Sequence, residues 1–552
     1  VAARGQPSQL HISLSSPTAV AVSFVTPPEQ RRAEVRYSSV RDDLELRRGQ
    51  AGTPDNQTQG HDTPIQYTVG RYTSDWIHHH LLTDLAGSVA TYYWRAVSWG
   101  PDGEEQASPI HAFRTQGPVG RSYPHSFGVL GDHGQTEFSQ QTCELIADRA
   151  EQMSFALLVG DLSYADHVPR RWDSWGRLIQ SCFASVPLMV LPGNHEIELE
   201  HLPHGKIEAF QGYRARFRMP EVAPEEFVPH GRYGAGSYSD LQYDYGSSYY
   251  SFNAGPVHFV MLNTYYKADW SNSKQLVWLT QDLAAVDRQT TPWVVVAMHA
   301  PWYSTNTAHI VAEERATRVM REAVEDILQA NKVALVLAGH SHAYERTWPV
   351  FKGVSAAEGE APTYLTVGDG GNREKLYDNW LDRSRFNWSA FRDGTMYGWG
   401  LTTAVNDSHL RWTWLPNAQG GTSGDEAWII NPFKFDGLGE SAEGGGQEDP
   451  SPQGAFSDEV LPQPSRAIHG TAWTVFLVVL FGLLLPAAFC MGVRTWRRSR
   501  PRASATDPEA DDKAMLDFVD DHFTLESLSP STLGSSIGVE SQANHGVNDG
   551  DL

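Results

Sequence analysis

Residues 155–166 read FALLVGDLSYAD. Five apolar positions, Phe155–Val159, stop at Gly160 and give way at once to Asp161, Ser163, Tyr164 and Asp166. A run apolar at every position, not at every second one, suits a strand covered on both faces, and ligands collect beyond the carboxyl ends of such strands. The same grammar recurs four times. Phe127–Leu130 leads into Gly131-Asp132-His133-Gly134, Val186–Leu191 into Gly193-Asn194-His195-Glu196, Trp293–Met298 into His299, and Val333–Ala338 into Gly339-His340-Ser341-His342. Apolar runs alternating with helical stretches predict an α/β domain over residues 124–432, with five loops converging on one crevice. The glycines before Asp132, Asp161, Asn194 and His340 are expected to let the backbone turn sharply off each strand.

Outward from this core the grammar changes. In residues 1–117 short runs such as Leu10–Leu14, Val20–Val25, Ala33–Tyr37, Tyr92–Val97 and His111–Arg114 are separated by turn-forming clusters, which predicts an all-β sandwich. His78-His79-His80 falls in a strand-like segment there and reads as structural, since alternate side chains point to opposite faces. Residues 433–470, rich in Gly, Ser, Pro and acidic side chains, read as a flexible stalk. Residues 471–493 read as a membrane helix. From Ala472 to Val493 run 22 positions without a charge, about 33 Å of helix against a hydrocarbon core of ~30 Å. Arg494, Arg497, Arg498, Arg500 and Arg502 follow, which places the C-terminal side in the cytosol. Residues 494–552, acidic and Ser-rich, read as a disordered cytoplasmic tail. A start at Val1 fits a trimmed cytosolic chain or a mature chain past its signal peptide, and the membrane helix favours the second. The expectation is a single-pass type I membrane protein, its catalytic part extracellular or in the lumen of an acidic compartment. Three sequons, at Asn56, Asn387 and Asn406, are compatible with that route.

Composition excludes other classes. The 552 residues are 40% hydrophobic and 20% charged, which rules out a wholly disordered chain. A net charge of −23, from 43 basic and 66 acidic residues, argues against nucleic acid as a partner, because such binders need a basic surface. A phosphate-bearing substrate must then be held by local positive charge such as metal ions. Three cysteines cannot make a disulfide scaffold. Cys143 and Cys182 can either bridge or remain two buried thiols.

The loops carry carboxylates, a carboxamide, a phenol and several imidazoles. Oxygen and nitrogen donors without sulfur suit divalent and trivalent first-row metals. Seven candidate donors are too many for one ion and fit two, about 3.5–4 Å apart, sharing one carboxylate. Such a pair activates water and clamps the oxygens of an in-line displacement at phosphorus.

Together, Gly131-Asp132-x-Gly134, Gly160-Asp161-x-x-Tyr164, Gly193-Asn194-His195-Glu196, Val296-x-x-His299 and Gly339-His340-x-His342 resemble the purple acid phosphatase signature. The likeness is to the large plant-type members, through residues 160–166 and through Gly339–Arg346, and spans about residues 8–432. It implies a fibronectin III-like sandwich ahead of a calcineurin-like metallophosphoesterase domain. It also implies a dinuclear Fe(III)–M(II) centre that hydrolyses phosphomonoesters with a metal-activated hydroxide. By this resemblance Fe(III) takes Asp132, Tyr164 and His342, a divalent ion (Zn, Mn or Fe) takes Asn194, His299 and His340, and Asp161 bridges. Asn194, His195 and His309 contact substrate, with His195 and His309 as the proton-donating, catalytic histidines. The plant enzymes carry two adjacent histidines where this chain has Ala308-His309, which leaves substrate preference open. His133 reads as a loop-facing, solvated imidazole, and Asp369 as a turn residue near the site. Two other functions are weighed on the same scaffold: a metallophosphodiesterase or nucleotide pyrophosphatase, and a non-catalytic surface receptor. Oligomeric state is left open.

Overall fold

The structure, a computed structural model, describes residues 5–45, 63–198, 200–202, 206–221, 243, 246–265, 270, 273–308 and 314–434. Residues 435–552, which hold the expected membrane helix and tail and all but the first two residues of the expected stalk, lie outside the described residues, as does His309. Among the described residues no helix is long and apolar enough to cross a membrane.

The amino-terminal part is a β-sandwich. Ser8–Ser16, Ala19–Thr26 and Trp76–Leu82 form a three-stranded antiparallel sheet; Ala33–Ser38, Thr91–Trp99, Glu105–Ala107 and His111–Arg114 form a four-stranded one. Leu10, Ile12, Val22, Phe24, Val35, Trp94 and Phe113 fill the space between them. The three consecutive histidines sit on Trp76–Leu82 and all are buried. His78 and His80 stack on Phe24, with ring centroids 5.0 and 5.5 Å away. His79 points the other way, to Ser23 Oγ at 2.8 Å and the Ala215 carbonyl at 3.1 Å. Their role is packing, as strand alternation requires.

Two mixed sheets make the α/β part. The first runs Leu188–Val190, Ala156–Leu158, His125–Leu130, Gly398–Ala404, His409–Pro416 and Asp425–Ile430, its first three strands parallel. The second holds seven strands, with Val257–Met261, Trp293–Ala297, Leu335–Ala338 and Thr363–Val367 parallel at its centre. In the second sheet Val295 and Ala297 pack toward the first sheet, where Phe127 meets Phe259 edge-on at 4.9 Å. Val294 and Val296 pack the other way, with Leu279, Met320, Val324 and Leu328 of the helices Lys274–Ala285 and Glu314–Ala330. Both faces are covered, which is why these strands are apolar at every position.

Behind the first sheet lie the helices Glu137–Ala147 and Arg170–Phe183, joined by a Cys143–Cys182 disulfide with Cα atoms 5.3 Å apart. Both sulfur-bearing residues are fully buried, so of the two readings the bridge holds. The second helix also docks the sandwich. Leu10 N–H donates to Gln180 Oε1, and Trp94 Nε1–H donates to the Ala184 carbonyl. Arg216, 5% exposed, clamps the same seam: it donates to Gln9 Oε1 (2.8 Å), Tyr67 Oη (3.0 Å), Tyr72 Oη (2.9 Å) and Asp173 Oδ1 (2.8 Å). A buried guanidinium with its donors spent in this way is oriented, not merely tolerated.

Candidate metal centre

The parallel strands of both sheets end on one side, and their loops are stitched together by backbone bonds. Asp132 N–H donates to the Gly160 carbonyl at 3.1 Å, and Gly339 N–H to the His299 carbonyl at 2.9 Å. The two sheets are joined by His340 N–H, which donates to Asp132 Oδ2 at 2.7 Å. The turns are tighter than expected, and the strain sits on different residues. Asp132, Asp161, Tyr164 and His340 themselves take left-handed φ of 54°, 53°, 51° and 67°, which is costly for residues with a Cβ and recurs at ligand sites. Of the four glycines only Gly160 has positive φ (92°). Gly193 answers close approach instead: a Cβ there would lie 2.1 Å from Asp161 Oδ1.

Two groups of three donors result. Asp161, His299 and His340 place one ligand atom each within 4.8 Å of one another. Asp132, Tyr164 and His342 form the second, with Tyr164 Oη 3.1 Å from Asp132 Oδ1 and 2.9 Å from His342 Nε2, and His342 Nε2 3.4 Å from Asp132 Oδ1. Asn194 stands beside the first group: its Oδ1 accepts from Tyr265 Oη at 3.0 Å, and the Tyr265 ring lies 6.0 Å from that of His299. All seven predicted donors are thus gathered at one place.

The donors are aimed from behind. His299 Nδ1–H donates to the Val159 carbonyl at 2.8 Å and His342 Nδ1–H to the Lys375 carbonyl at 3.1 Å, so each ring turns the lone pair of Nε2 to the crevice. Glu196, fully buried, accepts from Asp161 N–H (2.9 Å), Leu162 N–H (2.8 Å) and Gly193 N–H (2.8 Å). Burial, then Asp161, push its carboxyl up to about 8, and the N–H groups of Gly193 and Leu162 oppose that rise without cancelling it.

The residues fit a pair of cations. Asp161 Oδ2 and His299 Nε2 are buried and 3.0 Å apart, and among the described residues neither atom has a hydrogen-bond partner. Buried polar atoms left in that state call for an ion between them. Burial alone would raise Asp161, but His299 and His195 outweigh it and hold it below the carboxylate range. Burial, then Asp132, push the Tyr164 phenol well up, and only a strong nearby positive charge would reverse that.

His195 sits at the rim, its ring 4.1 Å from that of Tyr164. Its Nδ1 is bonded to Asp166, whose other oxygen is bonded to Arg373, and its Nε2 lies 3.8 Å from Asp161 Oδ2 and 3.7 Å from Glu374 Oε1. Burial would lower this imidazole, yet Asp161 and Asp166 push it up to about 10; cations held at Asp161 would weaken that pull.

Several residues here escaped sequence reading. Asp166 was visible in the motif but without a role; Arg373 and Glu374 carried no signal, because they arrive from another sheet. His133 is not solvated. It is fully buried, its Nδ1 accepts from Trp175 Nε1–H at 3.1 Å and its Nε2–H donates to the Ser139 carbonyl at 3.0 Å. The ring therefore ties the Asp132 loop to the helix Arg170–Phe183. Asp369, expected as a turn residue near the site, is fully buried, accepts from Trp414 Nε1–H at 2.7 Å, and burial pushes its carboxyl up to about 7.

Known proteins share this arrangement of domains. Residues 125–344 match the family model described as calcineurin-like phosphoesterase, residues 361–426 iron/zinc purple acid phosphatase-like protein C, and residues 7–115 purple acid phosphatase, N-terminal domain. The chain is 36% identical over 427 residues to purple acid phosphatase 22 of Arabidopsis thaliana, covering 77% of this chain and 86% of that one. It is 30% identical over 444 residues to Fe(3+)-Zn(2+) purple acid phosphatase 12 of the same plant, covering 77% and 85%. Its fold is like that of a purple acid phosphatase from yellow lupin (Lupinus luteus) seeds, with a TM-score of 0.61, 20% identity and coverage of 77% and 74%.

Proposed function

The chain belongs to the purple acid phosphatase family, and on that premise we propose that it is a membrane-tethered acid phosphatase hydrolysing phosphomonoesters at a mixed ferric–divalent centre. That it is a phosphoesterase enzyme follows from the family itself. The observation that carries the finer reading is the pair of three-donor groups, facing each other with a phenol in only one.

Asp132, Tyr164 and His342 are the set we assign to Fe(III), because a phenolate favours the trivalent state; Asn194, His299 and His340 are assigned to the divalent ion, with Asp161 between. A relative whose name specifies Fe(3+) and Zn(2+) supports that pairing. When bound, such ions activate water and neutralise phosphate oxygens. The protein's own groups orient and move protons. Asp166 and Arg373 fix the His195 ring so that Nε2 faces the crevice, where it contacts a phosphate oxygen or protonates the leaving oxygen. His309 is proposed as a second substrate contact. Tethering rests on the 22 uncharged residues Ala472–Val493 and the arginines behind them.

The test uses the full chain in detergent. A broad visible band, lost in Tyr164→Phe, together with two metals per chain and p-nitrophenyl phosphate turnover rising toward acid pH, supports the reading. Full activity in Asp161→Ala or His340→Ala sinks it. Release of the protein from membranes by alkaline carbonate would refute the tether alone.

A further inference from the structure

Beside the centre lies a cavity of about 420 Å³. His340, a member of the first donor group, is one of its lining residues, so the cavity adjoins the centre. Aromatic rings of Trp302, Phe386 and Trp388 wall it, and Arg318, Arg321 and Arg385 line it. Among the described residues no Asp or Glu does so. In a chain of net charge −23, three guanidinium groups gathered without a lining carboxylate are a local exception to the overall field.

The arginines come from two separate elements, Arg318 and Arg321 from the helix Glu314–Ala330 and Arg385 from the turn Arg383–Arg385. Arg321 is held, donating to the Trp302 carbonyl at 3.3 Å with its guanidinium 5.2 Å from the Tyr303 ring centroid. Arg318 and Arg385 are exposed, and Arg318 makes a loose ion pair with Glu322, its Nε 3.9 Å from Oε1. A second observation points independently to a ligand. Trp302 is only 7% exposed, yet among the described residues its Nε1–H has no hydrogen-bond partner. Buried indole N–H groups ordinarily find an acceptor.

The wall is also rigid. Glu345, 1% exposed, accepts from Thr305 N–H (2.7 Å), Thr305 Oγ1–H (2.6 Å), Ser304 Oγ–H (3.1 Å) and Ser389 Oγ–H (2.7 Å). One buried carboxylate thereby pins the segment after Trp302 to the strand Ser389–Asp393. A site fixed in this way need not be ordered when ligand arrives.

We propose that this cavity is the leaving-group subsite and selects phosphate esters whose leaving group is planar and carries a further anionic group. The ring packs between the aromatic walls, the anion meets Arg318 and Arg385, and an acceptor on the ligand satisfies Trp302. The inference rests on the reading of the neighbouring centre as a phosphatase.

Phenyl phosphate and 4-carboxyphenyl phosphate differ only in that second anion, and the ratio of their kcat/KM values isolates it. In the intact enzyme the carboxylated ester is favoured about tenfold, carried by KM, as expected for charge-assisted hydrogen bonds. The double variant Arg318→Gln/Arg385→Gln brings the ratio near one. Trp302→Phe, which keeps a ring and removes the N–H, lowers it about threefold. A ratio near one in the intact enzyme, or one unchanged in the double variant, overturns the proposal. If neither ester is hydrolysed, the phosphatase reading fails by itself. The subsite is then read by calorimetry with 4-carboxyphenylphosphonate against phenylphosphonate: tighter binding of the first, lost in the double variant, upholds it, and equal affinities end it.

Discussion

The His299 imidazole and the Val159 carbonyl are joined by a 2.8 Å hydrogen bond from Nδ1, so backbone of the first sheet orients a candidate ligand of the second. The contact is possible because Gly160 follows Val159. A Cβ at Gly160 would lie 2.3 Å from His299 Nδ1, and its φ of +92° disfavours any side chain. Gly160→Ala should therefore displace the His299 ring. The expected outcome is a fall in metal content and a loss of about 10–100-fold in kcat with the fold retained, as for other supports behind metal ligands; metal analysis and circular dichroism check it.

Glu196 offers a second route to the same effect without replacing a candidate ligand. Glu196→Gln keeps the shape but turns an NH₂ group toward one or more of the N–H groups of Asp161, Leu162 and Gly193, which the carboxylate now accepts. Metal affinity should fall about 10–100-fold. An unchanged affinity in a competition titration with a chelator would show that Glu196 does not position Asp161.

Arg216 is expected to matter for stability more than for chemistry. Arg216→Ala leaves Asp173 and the Gln9, Tyr67 and Tyr72 acceptors without their cation at a buried seam, at a cost of about 3–5 kcal/mol. Thermal unfolding should shift down, with the sandwich the first part to become protease-sensitive.

The Cys143–Cys182 bridge closes a loop of 39 residues, and in the chain-entropy model that contributes about 4 kcal/mol. The double Cys→Ala variant should melt earlier by a corresponding amount. Reductant should reach the native bridge slowly, since both residues are fully buried.

Acid should weaken the fold through histidines remote from the centre. Burial lowers His11, His111 and His125 from 6.5 to about 4, and His78 to about 3. Between pH 6.5 and about 4 the unfolded chain takes up protons that the folded chain refuses. Stability is therefore whole above pH 6.5 and falls as pH drops through that window, by about 2–3 kcal/mol for a group such as His125. His125→Phe should flatten the dependence of the thermal midpoint on pH relative to the parent chain. An identical slope would show that His125 is charged in the native state.

The loops could be read from the chain because strands such as Trp293–Ala297 are apolar on both faces, and a polar cluster ending such a run has few other places to be. The convergence of the seven candidate donors was legible for the same reason. What surrounds them was not. His133 looked solvated because its partner Trp175 is 42 residues away, and Arg373 reaches Asp166 across 207 residues. Local sequence carries no trace of such pairings. The glycines were half-read: spacing suggested a turn, but the strain falls on Asp132, Asp161 and His340, and Gly193 exists to make room. Whether two cysteines meet depends on a distance between helices, which no local pattern encodes.

The seven candidate donors divide by chemistry as well as by sheet. Asp132, Asp161, Tyr164 and Asn194 supply oxygen, and all precede residue 200; His299, His340 and His342 supply nitrogen, and all follow residue 290. A chain emerging from the ribosome thus displays only its oxygen half for roughly a hundred residues, a half that suits hard cations held weakly. Imidazoles that would capture zinc-like ions appear last, His299 first and then His340 and His342 together. On the proposed metal assignment, the order of synthesis would delay tight capture until both halves can share it.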